Sequence, residues 1–199
     1  MNLVLVTAPA KLPVTIDIAK AHARIPEGDT DEDALLMGYV RAAVNHYDGR
    51  DAYLNRALIT QTWDLKLDRF PDRGDAVLEV PLPPLQSVTS ISYVDTAGAT
   101  QTWSSAEYQV DTAAQPGRIV PAYGYKWPSA RHQLNAVTVR FVAGYGDDPA
   151  DVPEEIRLAI AQLASHWHQE RELLAPGTVN RVPMMLDDAV ANYRVFTLR

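Results

Sequence analysis

The chain has 199 residues, enough for one substantial core or two small ones, and its 47% hydrophobic and 22% charged composition is that of an ordinary soluble globular protein. It has no cysteine, which excludes disulfides, thiol chemistry and cysteine-ligated metal. The formal net charge is −7 and the Arg and Lys residues are scattered, so no basic stripe is present to grip nucleic-acid phosphates.

The first residues, MNLVLVTAPAKLP, read as extended and end in Pro13. Their apolar run lacks a basic leader and is too short for a signal peptide or a membrane span, so the product reads as soluble and intracellular. Thr15 can cap a short helix over 16–24, with Asp17 in its first turn. Pro26-Glu27-Gly28-Asp29 is a turn. Thr30 is the next candidate cap, with Asp33 completing an approximate capping box. The helix that follows carries Leu36, Val40, Ala43 and Tyr47 on one stripe, with Leu35 and Tyr39 beside it. Asp48-Gly49 interrupts this pattern.

From Ile59 to Tyr145 the period changes to two. In 59–67, Ile59, Trp63, Leu65 and Leu67 alternate with Thr60, Thr62, Asp64 and Lys66. Residues 77–80 form a short strand ended by Pro81, Pro83 and Pro84. Residues 87–95 and 100–103 read as a hairpin around Asp95-Thr96-Ala97-Gly98. Short strands are expected at 108–111, 118–120 and 136–143. In the last, Val137, Val139 and Phe141 face inward against Thr138 and Arg140.

The longest amphipathic segment then spans 153–174. Pro153 suits the first helical position, and Glu154 and Glu155 face the positive end of the helix dipole. Ile156, Ala159, Ile160, Leu163, Ala164 and Trp167 make one apolar stripe, and Pro176-Gly177 stops the helix. The other helices are too short to bury their stripes alone and are expected to pack on it. The tail holds a further amphipathic turn or two with Met185, Leu186, Ala189, Val190 and Tyr193. The order is helices, strands, helices. It predicts an α+β fold: a small helical bundle of two N-terminal helices and a long C-terminal helix, with an inserted antiparallel β region. The expected division is 1–58 helical, 59–146 β and 147–199 long helix and tail, all in a single compact unit.

No catalytic grouping stands out. His166 and His168 are two apart and diverge on a helix. His166 with Glu170, or His168 with Glu172, has metal-ligand spacing, but such helical pairs are ordinarily ion pairs. Asp95-Thr96-Ala97-Gly98 is a turn rather than an aspartic-protease motif. Gly144-x-Gly146 lacks the third glycine of a dinucleotide fingerprint. The acidic groups at 29–33 and at Asp147, Asp148 and Asp151 read as solvated loops. Trp63, Trp103, Trp127 and Trp167 read as core or interface residues. No cofactor or metal is expected. The rival enzyme reading, a small hydrolase, would need His166 or His168 paired with a carboxylate in a pocket.

An ordered set of segments resembles the head–tail connector proteins (adaptor, or head-completion proteins) of long-tailed bacteriophages and gene transfer agents. The set includes Ala19-Lys20-Ala21-His22, Asp33-Ala34-Leu35-Leu36 with Tyr39-Val40-Arg41-Ala42-Ala43, and Arg56-Ala57-Leu58-Ile59-Thr60-Gln61-Thr62-Trp63. It continues with Leu82-Pro83-Pro84-Leu85, Val88-Thr89-Ser90-Ile91-Ser92-Tyr93-Val94-Asp95 and Pro116-Gly117-Arg118-Ile119. Val139-Arg140-Phe141-Val142-Ala143-Gly144-Tyr145 and Val152-Pro153-Glu154-Glu155-Ile156-Arg157 complete it. The likeness runs over roughly residues 15 to 195.

The resemblance implies assembly rather than catalysis. Members form a ring, commonly dodecameric, beneath the portal protein; the ring extends the DNA channel and carries stopper and tail proteins. DNA passes without specific binding, no membrane is involved, and the protein ends at the head–tail junction of the particle after assembly in the host cytoplasm. A stopper or tail-completion protein is the alternative within the same machinery. A ring needs two different surfaces with apolar anchors. Tyr39, Tyr47 and Trp167 are the subunit-interface candidates. Met184, Met185, Leu186, Tyr193 and Phe196 are the candidates for a portal-docking tail, which is expected to order only on docking.

Overall fold

The structure is a computed structural model and describes residues 2–71, 76–170 and 184–196. It has two compact units, one comprising Met1–Pro9 with Thr60–Tyr145, the other Ala10–Ile59 with Gly146–Arg199. The fold is α+β, as the order of patterns predicted. The division differs from the expected one at the N-terminus. Residues 2–7 form a strand that pairs with residues 62–66, so the start of the chain belongs to the sheet unit rather than to a helical 1–58.

The sheet unit is built on β1 (Asn2–Thr7), β2 (Gln61–Leu67), β3 (Leu78–Val80), β4 (Leu85–Val94), β5 (Thr100–Trp103), β6 (Tyr108–Asp111), β7 (Gly117–Pro121) and β8 (Val137–Ala143). β1-β2-β8-β4-β5 make a five-stranded antiparallel sheet, and β3-β7-β6 a three-stranded one. β8 is central, and its Val137, Val139, Phe141 and Ala143 are all buried, the alternation the sequence showed. The predicted hairpin is present as β4–β5, with Asp95 in its turn. There Asp95 Oδ1 accepts from the Ala99 N–H and Oδ2 from Gln101 Nε2, both at 2.9 Å. These bonds, Gln101's first, lower the carboxyl's pKa, and they assign the motif to turn formation. Gly117 opens β7 where a Cβ would come within 2.8 Å of Leu85 Cβ, so the small sheet's close approach to β4 requires glycine.

The alternation expected along β2 breaks at Asp64. This residue is buried, and it stands opposite Arg140 in register. Arg140 donates from its Nε to Asp64 Oδ1 at 2.8 Å and from its second nitrogen to Oδ2 at 2.9 Å. This fork, together with the guanidinium charge, holds the Asp64 carboxyl below the usual carboxylate range despite burial. Because the folded-state pKa is depressed, the stabilisation is complete above the ordinary carboxylate pKa. It disappears as pH falls through the folded value. The Arg140 side chain is half exposed, so Asp64→Asn should cost only about 1 kcal/mol near neutral pH and less in acid, as Asp64 becomes protonated. Denaturant titrations at neutral and acid pH check this, and an equal loss at both would refute it.

The helical unit consists of α1 (Ile16–Ala23), α2 (Asp33–Tyr47), α3 (Glu154–Gln169) and α4 (Met184–Ala189). Thr15 caps α1, and Arg24 ends it in the left-handed conformation with φ 58°. Thr30 does not cap α2. The helix starts at Asp33 without a side-chain cap, because its acidic side chains bind tertiary partners instead. Asp33 takes the buried Lys20 ammonium at 2.7 Å, and Glu32 meets His168 Nε2 at 2.9 Å. α3 buries Ile156, Ala159, Ile160, Leu163 and Ala164 against α1 and α2, as its stripe predicted. The stripe ends on His168, one turn beyond Ala164, while Trp167 is only half-buried. The predicted continuation over 171–174 lies outside the described residues.

Candidate docking surfaces

The C-terminal segment was expected to order only on a partner, but residues 184–196 are ordered on the helical unit itself. Val190 and Val195 are buried there. The Val195 N–H donates to Leu54 O at 3.0 Å, and Asn55 Nδ2 donates to Val195 O at 3.1 Å. Arg56, also buried, donates from Nε to Tyr193 O. Asn55 adopts φ 53°, a left-handed turn that asparagine tolerates well. It thereby presents both Leu54 O and its own amide to the incoming strap. At the start of the segment His46 Nε2 lies 3.1 Å from Asp187 Oδ1. Near its end Arg194 stacks over both Tyr53 and Phe196, at 4.7 and 5.0 Å from the ring centroids. Two buried valines and a run of backbone bonds outweigh the absence of a long apolar pattern, which is why sequence alone suggested a free end.

The docking candidates divide on this geometry. Met185 is 82% exposed and Phe196 78% exposed, whereas Leu186 and Tyr193 are half-buried. The Tyr193 hydroxyl donates to Glu155 Oε2 at 3.0 Å. Met184 opens α4. The remaining tail positions, 181–183 and 197–199, lie outside the described residues.

Among the ring-interface candidates, Tyr47 must be reassigned. It is fully buried, on the same stripe as Leu36, Val40 and Ala43, and it packs edge-on to His46 and Tyr53. Burial first, and then the nearby Asp187 carboxylate, push its pKa up; yet its hydroxyl has no hydrogen bond of good geometry among the described residues. Tyr47 is therefore core. Tyr39 and Trp167 are half-buried, and Tyr39 meets His168 edge-on at 6.2 Å. Each keeps surface that a neighbour could cover.

The histidines do not build a reactive centre. His166 pairs loosely with Glu170 at 3.8 Å, and His168 is turned to Glu32. Among the described residues no group of three His, Asp or Glu side chains is placed to hold a metal, and no helix is long and apolar enough to cross a membrane. The expected pairing of His168 with Glu172 involves a position outside the described residues.

The sheet unit displays apolar side chains that the sequence reading passed over. Tyr123 is fully exposed and Leu134 is 80% exposed, both in the β7–β8 connection; Val4, Leu5 and Val6 lie half open on edge strand β1. The available signal was the length of the irregular stretch 122–136.

No protein-family model matches the chain, and no curated protein sequence matches it. Solved structures do. A chain in the neck of an empty gene transfer agent particle, computed with C6 symmetry, aligns with a TM-score of 0.77 at 27% identity, covering 100% of this chain and 98% of that one. A chain of the native gene transfer agent virion aligns at 0.75 and 25%, with the same coverage. The fold is that of a gene transfer agent neck protein. A third chain, from a native neck computed with C12 symmetry, agrees at 0.71 and 26%. The likeness to head–tail connector-type proteins thus extends from the ordered segments to the whole neck fold, both units included.

Proposed function

We propose that this chain is a structural subunit of the head–tail junction of a phage or gene-transfer-agent-like particle, working by surfaces and without catalysis. It acts as the adaptor: copies close into a ring under the portal, the ring extends the DNA channel, and its far side receives the stopper and tail proteins. The full-length likeness to neck chains, in necks computed with six- and twelve-fold symmetry, carries this reading. A twelve-fold ring fits a heterologous contact that closes. A net charge of −7 suits a channel through which DNA moves without sticking.

In this reading α4 and the strap that follows form the portal-docking element, already folded and presenting Met185 and Phe196 as anchors, with Tyr39 and Trp167 contributing to the ring contact. Pre-ordering removes the entropy cost that a free tail would meet on binding. Met185→Ser with Phe196→Ser should lower thermal stability only slightly, because both side chains are largely in solvent and only the exposed Arg194–Phe196 contact is lost. It should lower attachment to the portal at least tenfold, the loss of two apolar anchors at about 1 kcal/mol each or more. Pull-down with the portal, and electron microscopy of particles assembled with the variant, provide the measurement. Unchanged attachment would remove the docking role. A chain found on the tail side, away from the portal, would make it a stopper instead.

A further inference from the structure

The β7–β8 connection of the sheet unit is long, irregular and rigidly held. Its residues 122–136 contain no strand or helix, only a single bridge between Ala130 and Asp95. Connections of this length without regular structure tend to be functional. This one is pinned along its whole course. The Ala122 N–H donates to Glu107 O at 2.9 Å, Trp127 Nε1 to Ala76 O at 3.0 Å, the Arg131 N–H to Val94 O at 2.8 Å, and the Asn135 N–H to Asp68 Oδ1 at 2.8 Å. Trp127 stacks on Phe70, with centroids 5.2 Å apart.

A loop so firmly tied could bury its own apolar side chains, yet it holds Tyr123, Tyr125 and Leu134 out in solvent. Beside them Lys126, Arg131 and His132 are exposed and have no carboxylate partner among the described residues. The stacked Phe70 and Trp127 help to line an open cleft of about 440 Å³, together with Arg69, Lys126 and His132. Tyrosines on a pre-ordered loop, flanked by cations, have the composition of a protein-binding hot spot.

We infer that this loop is a ring contact and that its occupant is the acidic α1–α2 turn of the next copy. Charge selects the occupant. The helical unit carries nearly all of the net charge of −7, while the sheet unit is close to neutral. In the turn, the carboxylates of Glu27, Asp29 and Asp31 are exposed without a cation partner among the described residues, Lys20 reaching only the Glu27 backbone carbonyl; neighbouring Asp33 and Glu32 are already engaged with Lys20 and His168. One subunit therefore offers a cationic aromatic face on one unit and an anionic face on the other. This is the arrangement a head-to-tail contact needs. The inference rests on the ring reading and names the two patches that meet.

The absence of cysteine makes the test direct. Tyr123→Cys and Asp29→Cys variants of the full chain are mixed, assembled with the portal and oxidised. The expected product is a disulfide-linked pair of the two variants, at least tenfold above that from Tyr123→Cys mixed with Thr100→Cys. Lys126→Glu with Arg131→Glu in the first partner should abolish the link, and Glu27→Lys with Asp31→Lys in the second should restore it. No excess over the control, with rings still visible by electron microscopy, overturns this contact and leaves the ring reading intact. Absence of rings from the unmodified chain overturns both. A gel shift of duplex DNA that is lost with Lys126→Glu and Arg131→Glu, without cross-linking, would assign the loop to phosphates and overturn the inference.

Discussion

Replacing Trp103 with alanine should destabilise the sheet unit by about 3–5 kcal/mol, the usual cost of emptying a large buried aromatic site. Trp103 is buried at the end of β5, where it is paired with Ile91. Its ring meets Tyr108 at 5.1 Å, Trp127 at 5.2 Å and Phe70 at 5.9 Å, and Phe70 reaches on to Tyr93. These rings tie β4, β5, β6 and the β7–β8 connection into one cluster. Alanine would leave a cavity that rigid neighbours cannot fill, lowering the melting temperature by on the order of 10 °C. Trp63 is the control. It is half-buried on β2, its Nε1 donating to Gln61 Oε1 at 3.1 Å, so Trp63→Ala should cost about 1 kcal/mol. Calorimetry on the two variants decides the matter; equal losses would mean that the cluster is not the core of this unit.

Truncation before Met184 should cost about 2–4 kcal/mol. The strap buries Val190 and Val195, each contributing about 1.5–3 kcal/mol, and adds the bonds to Leu54, Asn55 and Arg56. Part of that gain is offset by the entropy of ordering the segment, which truncation returns. Removal also breaks the Val195–Leu54 backbone bond and the His46–Asp187 contact, so the helical unit loses partners of its own. A point variant separates docking from folding. Val190→Asp would bury an unpaired carboxylate, at a greater cost than letting the strap go. The strap should therefore release, and Val190→Asp should match the truncation to within about 0.5 kcal/mol, a usual spread for equivalent variants. Amide exchange should show that Val195, whose N–H donates to Leu54 O in the intact chain, loses its protection in the point variant. A penalty for Val190→Asp far above that of truncation would show that the strap cannot leave without unfolding the unit.

Local patterns carried much of this architecture. Three helices and most of the strands follow from apolar periods, because a side chain that must be buried repeats with its element's geometry. The Asp95 turn and the Thr15 cap were legible since each is made by a side chain bonding its own neighbourhood. The misreadings share a different cause. Thr30 looked like a cap because nothing within a few residues reveals that Glu32 and Asp33 will face His168 and Lys20. Asp64 looked like a solvent-facing strand residue because its guanidinium partner, Arg140, is contributed by β8. Tyr47 shares the stripe of Leu36, Val40 and Ala43, and that stripe places it in the core rather than at a subunit contact.

For this protein the order of residues alone determined the α+β class, the position of the long helix α3, the β4–β5 hairpin and the likeness to connector proteins. The first three depend on spacing along the chain, and the likeness on an ordered set of short segments. Only the tertiary structure decided that residues 2–7 complete the sheet, that the C-terminal segment straps onto the helical unit, and that Tyr123, Tyr125 and Leu134 stand out in solvent. Those outcomes depend on pairing between residues far apart in sequence. Such pairing is settled by which arrangement leaves the fewest buried polar groups unbonded and the least apolar surface exposed, a property of the whole fold that no local window contains.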